Sequence, residues 1–121
     1  TRDFNFVSDT CEAFFSVAQA ESTVGEIINS ASNFEISIEK TAFLISELMN
    51  TSINIESEEQ RLRPSNSEVN RLFGSNEKII SLTNWRQNYK GIEGFKKGLK
   101  ITIDWFTNKQ NLLLYKSNYG I

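Results

Sequence analysis

Apolar residues recur along this chain at two alternating spacings, that of a strand and that of a helix. Phe4 and Phe6 lie two apart, as in a short first strand running from Arg2 to Val7. The period then lengthens. Cys11, Phe14, Phe15 and Ala18 fall on one helical face, and Ser8 or Asp9 offers the side-chain oxygen that caps a first turn. Thr23 to Gly25 makes a turn, Glu26 to Ser30 a second strand, and Ser30 to Asn33 a small polar loop. Ser37 caps the next helix, in which Ile38, Ala42, Ile45, Leu48 and Met49 are spaced to face a core. Asn50-Thr51-Ser52 ends it, and Ile53-Asn54-Ile55-Glu56 alternates as a strand does.

Periodicity lapses from 57 to 75, where charge is dense; a loop this long inside a compact domain is usually functional or disordered. Gly74-Ser75-Asn76 turns into a short helix, Glu77 to Thr83, and Trp85 to Lys90 links it to a last helix from Ile92 to Phe106. That helix has a clear inward stripe of Ile92, Phe95, Leu99, Thr102 or Ile103, and Phe106, with Glu93, Lys96, Lys97, Lys100 and Asp104 toward water. Residues 109–121 carry too few signals for any assignment. Strand alternating with helix predicts an α/β fold, a small sheet with flanking helices, and 121 residues make one domain.

Composition narrows the function classes. With 39% hydrophobic and 23% charged residues the chain is ordinary for a globular domain, and nine phenylalanines are available to fill an interior. A net charge of −2 gives no reason to expect nucleic-acid or anionic-membrane binding, and no apolar run approaches the ~20 residues of a membrane span. The opening Thr1-Arg2-Asp3 reads as neither a signal peptide nor an initiation site, but as a chain taken up partway, at a strand. Cys11 is the only cysteine, so no internal disulfide can form, and a cytoplasmic setting is expected. Among Ala13, Phe14 and Phe15 it reads as a small buried hydrophobe rather than a reactive thiol. The chain has no histidine, which removes the Ser-His-Asp and Cys-His catalytic arrangements and most zinc sites; no metal site is expected.

The densest chemistry lies in Gln60 to Leu72, where Arg61 and Arg63 precede the single proline, Pro64, and Glu68 and Arg71 follow. A guanidinium is planar and permanently charged and grips phosphate oxygens by two-point hydrogen bonds. Proline fixes its own φ and so limits the freedom of the loop that presents them.

The order of landmarks resembles the carboxy-terminal half of the extended short-chain dehydrogenases that act on nucleotide-activated sugars, the epimerase and dehydratase family. Thr1 to Asp9 is similar to their Arg-Asp-aromatic strand and the acid that opens a helix; Ile28 to Ile38 resembles their Tyr-Asn-Ile-Gly strand, loop and Ser-Ile helix start. Arg61 to Val69 resembles their Arg-Pro loop, Leu72 to Lys78 their Leu-x-Gly-Asp-x-x-Lys step, and Trp85 to Phe106 their Trp linker and Gly-Leu-x-x-Thr-x-x-Trp-Phe helix. Ser67 to Leu72 looks closest to the sugar-nucleotide 4,6-dehydratases. Ala31 and Ser32 depart from the family's glycine pair, Asn84 stands where glycine usually precedes the tryptophan, and Gln87 stands where proline often sits.

The resemblance implies that residues 1–121 are a substrate-binding domain fragment, the lobe of an extended Rossmann-type enzyme without its cofactor-binding domain. The parent would be an NAD(P)-dependent lyase or epimerase of cell-surface polysaccharide biosynthesis, and this chain alone would be inactive. Arg2 and Arg63 match arginines that bind the substrate's pyrophosphate; Glu68 would accept from the ribose hydroxyls, and Asn33 lies where relatives place a polar substrate contact. Each has a plainer alternative. Arg2 could pair with Asp3 or Asp9, Arg63 with Glu58, Glu59 or Glu68, Glu68 could be a solvated acid, and Asn33 a turn residue. Arg61 and Arg71 read as surface or interlobe charges.

No catalytic or cofactor-binding residue is expected in the chain itself. The family's active-site Tyr-x-x-x-Lys has no counterpart, since Glu93 follows Tyr89 and Tyr119 follows Tyr115 at that spacing. Gly91-Ile92-Glu93-Gly94-Phe95-Lys96-Lys97-Gly98 imitates a dinucleotide fingerprint but lacks the strand that must precede one, so these glycines are expected to serve close helix packing. The expected partners are a nucleotide-diphosphate sugar, the missing cofactor domain and a second copy paired at the open edge of the first strand. The alternative is a free-standing, non-catalytic α/β interaction module.

Overall fold

The computed structural model describes residues 1–56 and 69–113. Within them the protein is a small, mainly helical mixed fold. β1 (Arg2–Asp3) pairs antiparallel with β2 (Glu35–Ile36), Arg2 opposite Ile36 and Asp3 opposite Glu35. The helices are α1 (Val7–Gln19), α2 (Ile38–Leu48), α3 (Glu77–Leu82), α4 (Gly91–Thr107) and α5 (Lys109–Leu112), with a single 3-10 turn at Glu21–Thr23. The expected alternation is visible, but the sheet among the described residues is only these two short strands.

The first strand stops at Asp3 because the next aromatics are used elsewhere. Phe4 stacks on Phe95 at 5.6 Å and Phe6 lies 4.2 Å from Tyr89, so the chain leaves the ladder to pack on α4 and its approach. Phe6, in extended conformation, precedes α1, and no side chain caps the helix there. Asp9 therefore lies inside the first turn. Its side chain turns inward, is fully buried, and accepts from the N–H of Asn88 (Oδ1, 3.1 Å) and of Tyr89 (Oδ2, 3.0 Å). The indole Nε1 of Trp85 donates to the Asp9 carbonyl at 3.0 Å. The acid expected to cap its own helix instead caps the linker 76 to 80 residues away.

That anchoring sets the rotation of α1 and overturns the expected inward face. Asp9, Ala13 and Val17 lie four apart on one stripe, and Ala13 and Val17 pack with Ile79, Trp85, Ile28 and Ile80 in the core. Cys11 is exposed rather than buried, as are Phe14 (74%), Phe15 (70%) and Ala18. Nor do the phenylalanines fill the interior: none of the nine is buried, and among the described residues the buried apolar ones are Ala13, Ala31, Ile36, Ile79 and Trp85.

Two expected strands form no ladder. Glu26 to Ser30 is without regular structure, because side chains rather than a neighbouring strand hold it. Asn5 Nδ2 donates to the Ser30 carbonyl at 2.6 Å and Lys78 Nζ to that of Ile27 at 2.9 Å; just beyond, Asn76 Nδ2 reaches the Ala31 carbonyl at 3.1 Å. Residues 53–56 likewise make no ladder.

The other expectations fare better. Ser37 Oγ caps α2 by accepting from the Lys40 N–H at 3.1 Å, and Asn50 at φ 55° turns the chain out of it. In α2, Ala42, Ile45 and Leu48 are half-buried while Ile38 and Met49 are exposed. In α4, Phe95, Leu99 and Ile103 are half-buried while Ile92, Thr102 and Phe106 lie nearer solvent. The α4 glycines serve packing: a Cβ on Gly94 would lie 2.1 Å from the Tyr89 carbonyl carbon, and one on Gly98 3.0 Å from the Phe6 ring.

Replacing Asp9 by alanine leaves the Asn88 and Tyr89 N–H groups without their acceptor. Urea unfolding is expected to show a loss of about 3 kcal/mol, from two charge-assisted bonds and their stranded donors. An unchanged midpoint contradicts the anchoring role.

Candidate functional site

The chain's start, the loop at 30–33 and residues 69–74 converge on the β1 edge. Two carboxylates arrange them. Asp3, beside Arg2 on the two-residue strand, accepts from the Ser32 N–H through Oδ1 at 2.9 Å and from the Gly74 N–H through Oδ2 at 3.2 Å. Gly74 can come this close because it has no side chain; a Cβ there would lie 2.5 Å from that of Ala31. Residues 69–72 lie along β1 on the side away from β2. The Thr1 nitrogen donates to the Asn70 carbonyl at 2.7 Å, and the Leu72 N–H donates to the Thr1 carbonyl at 3.1 Å. Residues 70–72 thus meet the chain at Thr1, just before β1.

Glu35 is the second organiser. Its carboxylate takes Arg71 Nε at 2.9 and 2.8 Å, Arg71 Nη2 at 2.5 Å and the Thr1 hydroxyl at 2.6 Å. The Arg71 guanidinium, then the Thr1 hydroxyl, hold this acid down to about 2, against an ordinary value of 4.5. Arg71 also lies 5.1 Å above the Phe73 ring. The reading of Arg71 as a surface charge agrees with its exposed side chain, although its partner across the sheet was not foreseen.

Of the sequence-derived site residues, Arg2 is half-buried and points Nη1 at two carbonyls, those of Thr1 and Val69, each at 2.8 Å. Its neighbours Asp3 and Asp9 direct their carboxylates at backbone N–H groups. Asn33 is exposed at φ 53°, the left-handed conformation that turn asparagines tolerate, in the loop that Asp3 holds through Ser32. Arg63 and Glu68 lie outside the described residues, as does Arg61. The structure therefore brings Arg2 to Val69, the residue directly after that stretch, and ties the Asn33 loop to the same edge.

Glu35 carries no signal in the sequence, and Asp3 and Asp9 read there as partners of Arg2, or in the case of Asp9 as a helix cap, rather than as anchors of distant loops. Strand alternation gives no sign of a partner 36 residues away, whereas an Arg-Asp pair followed six residues on by another acid was a usable signal. Among the described residues no three His, Cys, Asp or Glu side chains group to hold a metal, and no helix is long and apolar enough to cross a membrane. Lys97 sits over the Tyr89 ring, 5.2 Å from its centroid, as a packing contact. No protein-family model matches this chain, and neither the curated proteins nor the solved structures contain a match to it.

A carboxyl held down by its folded-state partners favours folding fully above its unfolded value of 4.5, and that contribution is lost as pH falls toward about 2. Urea midpoints are accordingly expected to drop more steeply over this window in the wild type than in Glu35→Gln. An ordinary Glu35 titration near 4.5, followed by NMR, contradicts the assignment.

Proposed function

We propose that this chain is the carboxy-terminal, substrate-binding lobe of an extended short-chain dehydrogenase acting on a nucleotide-diphosphate sugar, nearest to the 4,6-dehydratases. The observation that carries the reading is Arg2 Nη1 at 2.8 Å from the Val69 carbonyl. It joins the Arg-Asp strand to the end of the arginine-proline stretch, the two places from which a diphosphate would be gripped. The ordered motifs from Thr1 to Phe106 support the same reading.

In this reading Arg2 and Arg63 neutralise the pyrophosphate through charge-assisted hydrogen bonds, Glu68 accepts from the ribose hydroxyls, and Asn33 offers a polar contact from its exposed turn. The lobe supplies binding energy remote from the reacting carbons. In an enzyme of this family a cofactor-binding domain would bring NAD(P), which would supply hydride transfer at the sugar, together with the catalytic residues. A second reading, a free-standing interaction module, draws on the outward-facing Phe14 and Phe15.

The test is an NMR titration of this chain with UDP-N-acetylglucosamine and dTDP-glucose, using the free nucleosides as controls. Amide shifts are expected around Arg2, Asn33 and Val69 with the nucleotide sugars and not with the nucleosides. Arg63→Ala should weaken the response roughly ten- to hundredfold, the loss of a charge-assisted contact of about 1.5–3 kcal/mol. NAD should produce no saturable binding by calorimetry. Silence toward both sugars at millimolar concentration, or micromolar affinity for NAD, contradicts the proposal.

A further inference from the structure

Between residues 4–6, which lead from β1 into α1, and the first half of α4 lies a partly enclosed cavity of about 150 Å³. Two aromatic pairs, Phe4 with Phe95 and Phe6 with Tyr89, wall it together with Leu99. Gly94 and Gly98 border it as well, so part of the wall is helix backbone bare of side chains. A cavity of this size with apolar walls accommodates one benzene ring.

Asn5 supplies the one carboxamide on the wall. Its Nδ2 donates to the Ser30 carbonyl at 2.6 Å, which fixes the orientation of the amide, since the reverse would set Oδ1 against another acceptor. Oδ1 is then left buried, with no hydrogen-bond partner among the described residues. A buried acceptor without a donor is a cost that native folds rarely leave standing. Ring-lined walls offer a water few further partners, whereas an aromatic ring that carries its own donor suits both the walls and the acceptor.

We propose that this cavity binds a small single-ring aromatic ligand bearing one O–H or N–H donor, phenol in its simplest form. The ring packs among the aromatic side chains, and Asn5 Oδ1 accepts from its donor. No charged side chain borders the cavity, so an ionised ligand would be desolvated there without a counter-charge. The site stands independently of the nucleotide-sugar reading, which rests on Arg2 and the β1 edge.

The test is an NMR titration of the whole chain with phenol and with anisole, which keeps the ring but has no donor. Phenol is expected to saturate with a dissociation constant of about 1 mM or below, and to bind at least about tenfold more tightly than anisole. Intermolecular nuclear Overhauser effects should run from the phenol ring to Phe6, Phe95 and Leu99. Asn5→Leu, checked for folding by its amide spectrum, should abolish the advantage of phenol over anisole. The ligand comparison and the Overhauser contacts need no variant, so they decide the matter even where Asn5→Leu does not fold. Failure of phenol to saturate, equal affinity for the two rings, or contacts elsewhere on the chain overturns the proposal, as does a folded Asn5→Leu that still prefers phenol.

Discussion

One buried carboxylate sets the geometry of this fold. Asp9 has no solvent, and a charge without solvent must be satisfied by the protein. It takes two backbone N–H groups from the linker before α4, while its own carbonyl takes the Trp85 indole. The consequences spread in both directions. On α1 the anchoring chooses which stripe faces inward, and it chooses Ala13 and Val17 over the larger phenylalanines. On the linker it presents Tyr89 to the Phe6 ring, against which α4 can close only because Gly94 and Gly98 carry no side chains.

Asp3 does at the sheet what Asp9 does at the helix. Its two oxygens bind N–H groups from segments 29 and 71 residues away, so loops that would otherwise have weak reasons to meet are fixed against one strand. Glu35, Arg71 and Thr1 tie residues 69–72 along the other side of β1. Polar side chains thus substitute for a larger sheet. They also explain how a fold with so few buried apolar residues holds its loops in place.

This explains what was legible in the sequence and what was not. Local signals read correctly: the Ser37 cap, the Gly74–Asn76 turn into α3, the extent of α4 and the packing role of its glycines. Two of the errors come from distant polar contacts that override local pattern. Phe14 and Phe15 are the strongest apolar signal on α1, yet the Asp9 contact turns them to solvent. Glu26 to Ser30 reads as a strand, but Asn5 and Lys78 take carbonyls that a ladder would use. At the β1 edge, motif order drew attention to Arg2 and the Asn33 loop without indicating what either contacts, and the Glu35–Arg71 pair needed three-dimensional proximity.

The central claim is that Asp9 and Asp3 order the loops they touch as firmly as the helices are ordered. Native-state hydrogen exchange reads this at four amides, Ser32, Gly74, Asn88 and Tyr89, none of which lies in a helix or strand. The account predicts that all four exchange as slowly as interior amides of α4, because each is held by a carboxylate that opens only with the surrounding structure. Exchange at the rate of an exposed loop, while α4 stays protected, would contradict it.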